Sequence, residues 1–488
     1  MSDIGNKVRS STKWTLLTEV LAKAITPITG MILARLLSPE AFGVVAAILV
    51  VTSFAEIFAD AGFQKYFIQH EFYGEAEKRS CFITAVITSC SIAAVIWLVI
   101  FIFAGPIATM MGIPKAVWGI RLAGIGIIVN SYNGMQAAIF KRNFQFKLLF
   151  KVKMIVLLVP LLVTIPLAYA GCGYWALIIG TLSQQVLTCL IQSYYTAMPL
   201  GWLFCIEDLR KMLSFSLWTL FESITIWFST WGGMFLVGMM LSSYYLGIYR
   251  GVMTLVGAAF SIVTGTIMPV LFTALSRLQN DMNAFREIVI SIQYKLALIL
   301  LPLGAILYIF QDLIIGFLLG NQWQEGDFFF GIWSLTMCLS ILINGFASEA
   351  LRARGMPRMS SLSQLLHFPV LFVLIWYTAK ISFQALAIGT CLSSLWLYTV
   401  KLIMLRQVLG FSLRKIFGCI LNAALPAAIA GFLAWKIRML LSGHHEPLSI
   451  IVAFLIFFLC YMSLILIGKN NRKLVFDGFN FLRSKFYR

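Results

Sequence analysis

The chain has 488 residues, of which 60% are hydrophobic and only 11% are charged, and its mean hydropathy is +0.91. This composition excludes a soluble globular protein and is typical of a chain that crosses a membrane many times. The net charge of +18 is expected to set membrane topology and to attract anionic lipid headgroups, so no nucleic-acid partner is predicted.

Apolar runs long enough to cross the hydrocarbon core of a bilayer recur along the whole sequence. They predict an all-α integral membrane protein with about fourteen transmembrane helices. The first run lacks the features of a cleaved signal peptide, so we expect it in the mature protein. The predicted spans cover residues 14–36, 42–62, 82–104, 117–139, 148–170, 174–197, 215–241, 245–271, 288–310, 328–350, 360–379, 382–404, 416–437 and 448–467.

The basic residues are distributed unevenly between the loops on the two sides of the membrane. With the N-terminus inside, the inner segments hold 29 of the 37 Lys and Arg residues, and the outer segments hold seven. Because cytoplasmic loops carry the excess of Lys and Arg in membrane proteins, both termini are predicted to be cytoplasmic.

Two stretches that lie 204 residues apart repeat each other without a gap. Residues 7–43 and 211–247 are identical at nine of 37 aligned positions, which include Trp14 and Trp218. Six predicted spans separate the copies, so the repeat is parallel and predicts two six-helix lobes related by a pseudo-two-fold axis. The predicted parts are an N-terminal lobe (1–200), a cytoplasmic amphipathic linker (201–214), a C-terminal lobe (215–405), and two C-terminal helices with a basic tail (406–488).

The first span carries a polar stripe that includes two charges. Glu19, Lys23 and Thr26 lie on one helical face, and the stripe continues towards both ends of the span. Charged side chains at this depth are costly unless they pair with each other or face a water-filled cavity. Two interpretations therefore stay open: an ion pair between Glu19 and Lys23, or a stripe that lines a substrate cavity.

Similar stripes occur on spans 2, 7 and 8, and they predict a central cleft with the substrate near the midplane. The candidate substrate contacts are Glu19, Lys23, Thr26, Glu222, Arg250 and Arg121, and the candidate coupling-ion residues are Glu56 and Asp60. Arg121 and Arg250 lie near span ends and could instead extend to the lipid headgroups. Asp60 could instead cap a helix end.

Other polar and aromatic residues point to no chemistry of their own. The nine cysteines are scattered, and the four histidines are not at metal-ligand spacing, so neither a metal nor a cofactor is predicted. Trp323 is expected to anchor in the headgroup region, and stacking on a sugar is the second interpretation.

Several short segments together carry a family resemblance. They are Trp14, Leu33–Gly43, Asp60–Phe63 with Ile68 and Gln69, Pro269–Ser276 with Asp281, and Phe317–Trp323. With these segments the chain resembles, over essentially its whole length, the Wzx-type polysaccharide flippases of the multidrug/oligosaccharidyl-lipid/polysaccharide exporter (MOP) superfamily, particularly the branch that includes colanic acid exporters.

The resemblance implies a flippase of the bacterial cytoplasmic (inner) membrane. Such proteins move an undecaprenyl-diphosphate-linked oligosaccharide to the outer leaflet by alternating access, for surface polysaccharide biosynthesis, and cationic cavity residues hold the diphosphate. Here Lys23, Arg250, and Arg35 or Arg121 are the available cations. The implied partners are the lipid-linked oligosaccharide, membrane lipids and other polysaccharide-assembly proteins. The alternatives are a cation-coupled multidrug antiporter of the same fold and a membrane enzyme of the same pathway.

Overall fold

The computed structural model describes residues 2–196, 204–441 and 446–467, and within these ranges all regular secondary structure is helical. Short π-helical segments at Pro160–Thr164 and Ser340–Gly345 interrupt two long helices. In chain order the α-helices are α1 (Ser2–Leu36), α2 (Pro39–Asp60), α3 (Phe63–Gln69), α4 (Glu75–Ile102), α5 (Ala104–Met110), α6 (Val117–Arg142), α7 (Phe146–Val156), α8 (Ile165–Tyr169), α9 (Tyr174–Tyr195), α10 (Ile206–Met240), α11 (Ser243–Arg277), α12 (Met282–Ile309), α13 (Gln311–Leu318), α14 (Asp327–Leu339), α15 (Phe346–Ala353), α16 (Pro357–Ala379), α17 (Phe383–Leu409), α18 (Leu413–Leu441) and α19 (Glu446–Ile467).

Within the described ranges, 12 helices are long and apolar enough to cross a membrane, or 13 if the two parts of α11, bent by 49°, form one span. All of them coincide with predicted spans, so the prediction of a multi-pass, all-α membrane protein is confirmed. The predicted span at 117–139 is also a helix, the 26-residue α6, but it is not among them. Arg121, Asn130 and Asn133 lower its mean hydropathy, and the count of fourteen spans stays a prediction.

The two copies of the sequence repeat form helices of matching length. Both α1 and α10 have 35 residues, and their ends lie 204 residues apart, which is the offset of the repeat. The next helices, α2 and α11, begin at Pro39 and Ser243, which have the same offset. Proline is favoured in the first turn of a helix, and the Ser38 hydroxyl accepts a hydrogen bond from the Ala41 N–H at the start of α2.

The two repeated turns contact each other at a pair of glycines. Gly43 of α2 lies against the backbone of Ser243 and Gly247, and Gly247 of α11 lies against the backbone of Pro39 and Gly43. Because these are equivalent positions in the two copies, the contact is reciprocal, as it is at a two-fold axis. The pseudo-two-fold relation of the complete lobes stays a prediction.

The predicted linker at 201–214 is not a separate element in the part that the structure describes. From Ile206 onwards its residues form the first turns of α10, which continues without a break to Met240. The Ser80 hydroxyl donates a hydrogen bond to the Asp208 carboxylate, 2.8 Å away, and Asp208 is buried. Residues 201–203 lie outside the described ranges.

The contacts between residues divide the chain into two compact units. The first comprises Met1–Ile262, Gly316–Gly326 and Leu371–Leu386, and the second comprises Val263–Ile315, Asp327–Val370 and Ala387–Arg488. In the first unit α2 packs against α6 and α10, and in the second α18 packs against α12 and α19. All eight candidate site residues belong to the first unit. The lobes drawn from the repeat stay a prediction.

Candidate functional site

A cavity of about 430 Å³ lies between α1 and α11 in the first unit. It brings together three of the predicted substrate contacts, Lys23, Thr26 and Arg250, although they come from chain segments more than 200 residues apart. The remaining lining is largely apolar, with small residues such as Gly30 and Gly257. We call this space the cationic cavity, because Lys23 and Arg250 are the charged groups in its lining.

The two cations of the cationic cavity have different environments. The Lys23 Nζ atom lies 3.7 Å from the Glu19 carboxylate and 3.5 Å from the Ser261 carbonyl oxygen. The predicted ion pair therefore forms, and Lys23 also lines the cavity, so the two interpretations do not exclude each other. Glu19 is 61% exposed and is not part of the lining. Arg250 forms no salt bridge among the described side chains, and its guanidinium carbon lies 5.9 Å from the centre of the Trp231 ring.

The segment Gly316–Gly326, which the topology prediction places on the outer side, contributes Leu319 and Trp323 to the lining of the cationic cavity. The Gln322 side-chain amide donates hydrogen bonds to the carbonyl oxygens of Ala34 (2.8 Å) and Leu37 (2.9 Å), and the Trp323 indole N–H donates to Ala34 (2.9 Å). These carbonyls belong to the last turn of α1 and the residue after it, where helices lack intrahelical donors. We call this group of contacts the clasp.

Trp323 differs from its prediction. Only 1% of its surface is exposed, and its ring meets the edge of Phe42 at 5.2 Å. It also lies against Gly251, where a Cβ atom would approach the ring to 2.6 Å. Trp323 is therefore packed into the cavity wall, and neither a headgroup anchor nor an open stacking surface describes it. The hydrogen bond to α1 joins residues that are 289 positions apart in the sequence, so no local pattern could have shown it.

A second cavity, of about 360 Å³, brings together the two predicted coupling-ion residues, Glu56 and Asp60 of α2. The Asn130 side-chain amide of α6 donates a hydrogen bond to the Glu56 carboxylate at 2.7 Å. Neither carboxylate forms a salt bridge with any side chain that the structure describes. We call this space the acidic cavity. Its other lining residues are Ser53, Ile57, Gln64, Ser131, Ser223, Ile226, Trp227, Thr230 and Trp231.

The sequence repeat relates the two cavities. The lining of the cationic cavity comes mainly from α1 of the first copy and α11 of the second copy. The lining of the acidic cavity comes mainly from α2 of the first copy and α10 of the second copy. With the offset of 204, Lys23 corresponds to Trp227, and Thr26 corresponds to Thr230. The two sites are thus equivalent in position but carry opposite charge.

The remaining two candidate residues are Arg121 and Glu222. Arg121 lies between the rings of Phe101 and Trp118, 4.6 and 4.9 Å from its guanidinium carbon, and donates to the Phe101 carbonyl oxygen at 3.2 Å. It lines neither cavity. Glu222 lies on α10, but its side chain is outside the part that the structure describes.

The lining residues of the acidic cavity that were not predicted include Asn130, Trp227 and Trp231. The repeat offers a signal for the tryptophans, because they stand at the positions equivalent to Lys23 and Pro27, which line the cationic cavity. Asn130 belongs to a different helix, and its place beside Glu56 depends on packing that the sequence does not show. Among the described residues, no group of three or more His, Cys, Asp or Glu side chains is arranged to hold a metal ion.

Comparison with known proteins places the chain in a family. The sequence model of the family described as polysaccharide biosynthesis protein matches residues 32–326, which include the acidic cavity and the α11 side of the cationic cavity with Arg250. The chain belongs to this family. The matched part also contains the repeated turns and the clasp, whereas Lys23 and Thr26 of α1 lie just before it.

Two further proteins are similar to this chain in sequence. The succinoglycan biosynthesis transport protein ExoT of Rhizobium meliloti (strain 1021) is 24% identical over 316 residues, 64% of this chain and 62% of its own length. An uncharacterized membrane protein in the cps region of Klebsiella pneumoniae is 22% identical over 285 residues, 57% of this chain and 58% of its own. The chain therefore matches about three fifths of the length of these relatives.

Two solved structures show the same fold. The lipid II flippase MurJ in an inward closed conformation aligns with a TM-score of 0.73 and 14% identity, over 95% of this chain and 99% of MurJ. An inward-facing multidrug transporter of the MATE family aligns with a TM-score of 0.59 and 11% identity, over 79% of this chain and 94% of its own. With the family match, these findings confirm the resemblance to MOP-superfamily polysaccharide flippases. The relatives whose names give a role are transporters rather than enzymes, as predicted.

Proposed function

We propose that this protein is a flippase that moves an undecaprenyl-diphosphate-linked oligosaccharide from the cytoplasmic to the outer leaflet of the bacterial inner membrane. The observation that carries the proposal is the cationic cavity, in which Lys23 and Arg250 meet in a largely apolar space. Membership of the polysaccharide biosynthesis family supports a cargo of this class.

The chemistry of the cationic cavity suits a lipid-linked diphosphate. An arginine guanidinium can hold phosphate oxygens through two parallel hydrogen bonds, while a lysine ammonium acts as a mobile point charge. Both interactions strengthen where apolar walls exclude water. The small and apolar lining residues leave room for the first isoprenoid units, because a prenyl chain needs no polar partner.

In a transport cycle of alternating access, the clasp would control the opening of the cationic cavity to the outer side. Gln322 and Trp323 hold the last turn of α1 against the segment Gly316–Gly326, which lines part of the cationic cavity. In the proposed mechanism the cargo enters from the cytoplasmic side while the clasp is formed, and release to the outer leaflet requires these hydrogen bonds to break. The cytoplasmic position of both termini, which the basic inner loops favour, belongs to the same proposal.

The second candidate function is a cation-coupled multidrug antiporter. The observation that favours it is the acidic cavity, because two carboxylates without a salt bridge could bind a cation or a proton, as predicted for Glu56 and Asp60. An antiporter would make a deletion strain sensitive to cationic drugs, whereas a flippase would make it accumulate a lipid-linked glycan on the cytoplasmic leaflet.

Complementation of a deletion strain tests the head-group assignment. We expect Lys23→Ala and Arg250→Ala to lower polymer export by about tenfold or more, since each removes a hydrogen bond between charged groups. Arg121→Ala is the matched control, because it removes an arginine that lines neither cavity, and it should export polymer at nearly the normal rate. Normal export by both cavity variants would show that the assigned contacts are wrong.

A further inference from the structure

We propose that the acidic cavity is the subsite for the first sugar of the cargo and that it selects a sugar without negative charge. This inference rests on the proposed function, since it takes the cationic cavity as the place of the diphosphate. It assigns Glu56 and Asp60 to cargo recognition, which is a different role from the coupling-ion role that the sequence predicts.

The functional groups around the acidic cavity match those of a sugar. Carboxylates such as Glu56 and Asp60 accept hydrogen bonds from hydroxyl groups, and the amides of Gln64 and Asn130 both donate and accept. Trp231, half-buried in the wall, adds an aromatic surface on which the apolar face of a pyranose can stack. The cavity thus offers alternating hydrogen-bond acceptors and donors together with an aromatic wall.

The size of the acidic cavity favours a sugar over a bare cation. About 360 Å³ lies within the range of roughly 300–1,000 Å³ that is typical of small-molecule sites. A single water-sized ligand fills only about 30 Å³. A monosaccharide can therefore fill this space and contact α2, α6 and α10 together, whereas a dehydrated cation would fill only a small part of it.

The charge of the acidic cavity determines which sugars it can take. Of the side chains that the structure describes, none forms a salt bridge with Glu56 or Asp60, and no Lys or Arg is among the described lining residues of the acidic cavity. A uronic acid or a pyruvylated sugar would bring another carboxylate into this space, and like charges close together are unfavourable. An uncharged sugar instead supplies the hydroxyl donors that the two carboxylates need.

The position of the acidic cavity agrees with the order of groups in the cargo. The guanidinium carbon of Arg250, in the cationic cavity, lies 5.9 Å from the ring centre of Trp231, which lines the acidic cavity. A diphosphate held at Arg250 therefore has its attached sugar next to Trp231. The two repeat-related sites would bind consecutive parts of one molecule, the anionic part at the cations and the sugar at the carboxylates.

Binding to the purified full-length protein in lipid nanodiscs tests this inference with three probes. They are undecaprenyl diphosphate alone, undecaprenyl diphosphate carrying one neutral hexose, and the same lipid carrying one hexuronic acid. The unaltered protein should bind the neutral hexose probe about tenfold more tightly than the other two, as expected for one further hydrogen bond to a charged group.

The variants separate the two subsites. Glu56→Gln with Asp60→Asn should remove the preference for the neutral hexose over the hexuronic acid and leave undecaprenyl diphosphate binding unchanged. The amide oxygen introduced by Glu56→Gln can still accept the hydrogen bond from Asn130, so folding should be preserved. Arg250→Ala should weaken all three probes, and Glu75→Gln, at an exposed carboxylate of α4 outside both cavities, is the matched control.

The possible results distinguish this inference from the proposed function. If the unaltered protein binds all three probes equally, the sugar subsite is refuted while the proposed function survives. If it binds none of them, both proposals fail. If the double variant keeps the preference for the neutral hexose, the sugar subsite is refuted as well, and a loss of sodium or proton dependence of its transport in proteoliposomes would instead assign the acidic cavity to a coupling ion.

Discussion

The reciprocal contact of Gly43 and Gly247 predicts that alanine is not tolerated at either position. An added Cβ atom at Gly43 would overlap the carbonyl oxygen of Ser243, and one at Gly247 would overlap the carbonyl oxygen of Pro39. The overlap is with backbone, which cannot rotate away as a side chain can. We therefore expect each substitution to lower the free energy of unfolding by about 1–3 kcal/mol or more, the range for overpacked sites.

Gly418→Ala is the matched control for this prediction. Gly418 lies inside α18, and an added Cβ there would meet nothing within 4 Å. Because alanine favours helix over glycine by up to about 1 kcal/mol, this variant should be as stable as the unaltered protein or more stable.

Thermal unfolding of the purified protein, followed by size-exclusion chromatography after heating, measures the difference. Gly43→Ala and Gly247→Ala should unfold at similarly reduced temperatures, since their contacts are equivalent in the repeat. If either variant is as stable as Gly418→Ala, the two helices are not packed as described, and the reciprocal crossing is refuted.

Two further predictions concern the clasp and an ion pair of the second unit. Gln322→Ala removes two hydrogen bonds to the end of α1, so the cavity should open to the outside more often. In a cysteine-free background, an impermeant maleimide added outside should then label Thr26→Cys several-fold faster. Unchanged labelling would refute the clasp. Burial alone would raise the pKa of Asp312, but the hydrogen bond and charge of Arg438 lower it below its ordinary value of 3.8. The pair therefore stabilises the fold at neutral pH and loses this effect as the pH falls through that lowered pKa. The unfolding temperature of Arg438→Gln should accordingly vary less with pH than that of the unaltered protein. An equal pH dependence of the two proteins would contradict this.

Much of the fold and part of the site could be predicted from the sequence, because both depend on patterns along single helices. Polar residues on an otherwise apolar span have few favourable places except a cavity, and Lys23, Thr26 and Arg250 indeed line one together. Glu56 and Asp60 share a second cavity for the same reason.

The remaining features depend on contacts between distant segments, which no helical pattern contains. Arg121 resembles Arg250 in the sequence, since both are arginines near span ends, but Phe101 and Trp118 surround Arg121. Asn130 looks like any polar residue of a span, and only the packing of α6 against α2 places it beside Glu56 in the acidic cavity. Trp323 is buried because its indole finds a carbonyl acceptor at the end of α1.

The most direct test of the proposed function is translocation by the purified protein in proteoliposomes. A fluorescent undecaprenyl-diphosphate-linked oligosaccharide is distributed over both leaflets, a membrane potential is imposed, and a membrane-impermeant reductant quenches the label that is accessible from outside. The proposed function predicts that protein-containing vesicles lose nearly all of their fluorescence and that vesicles with Arg250→Ala lose little more than protein-free vesicles do. If the unaltered protein also leaves the inner-leaflet label protected, it does not flip this cargo, and the proposed function is contradicted.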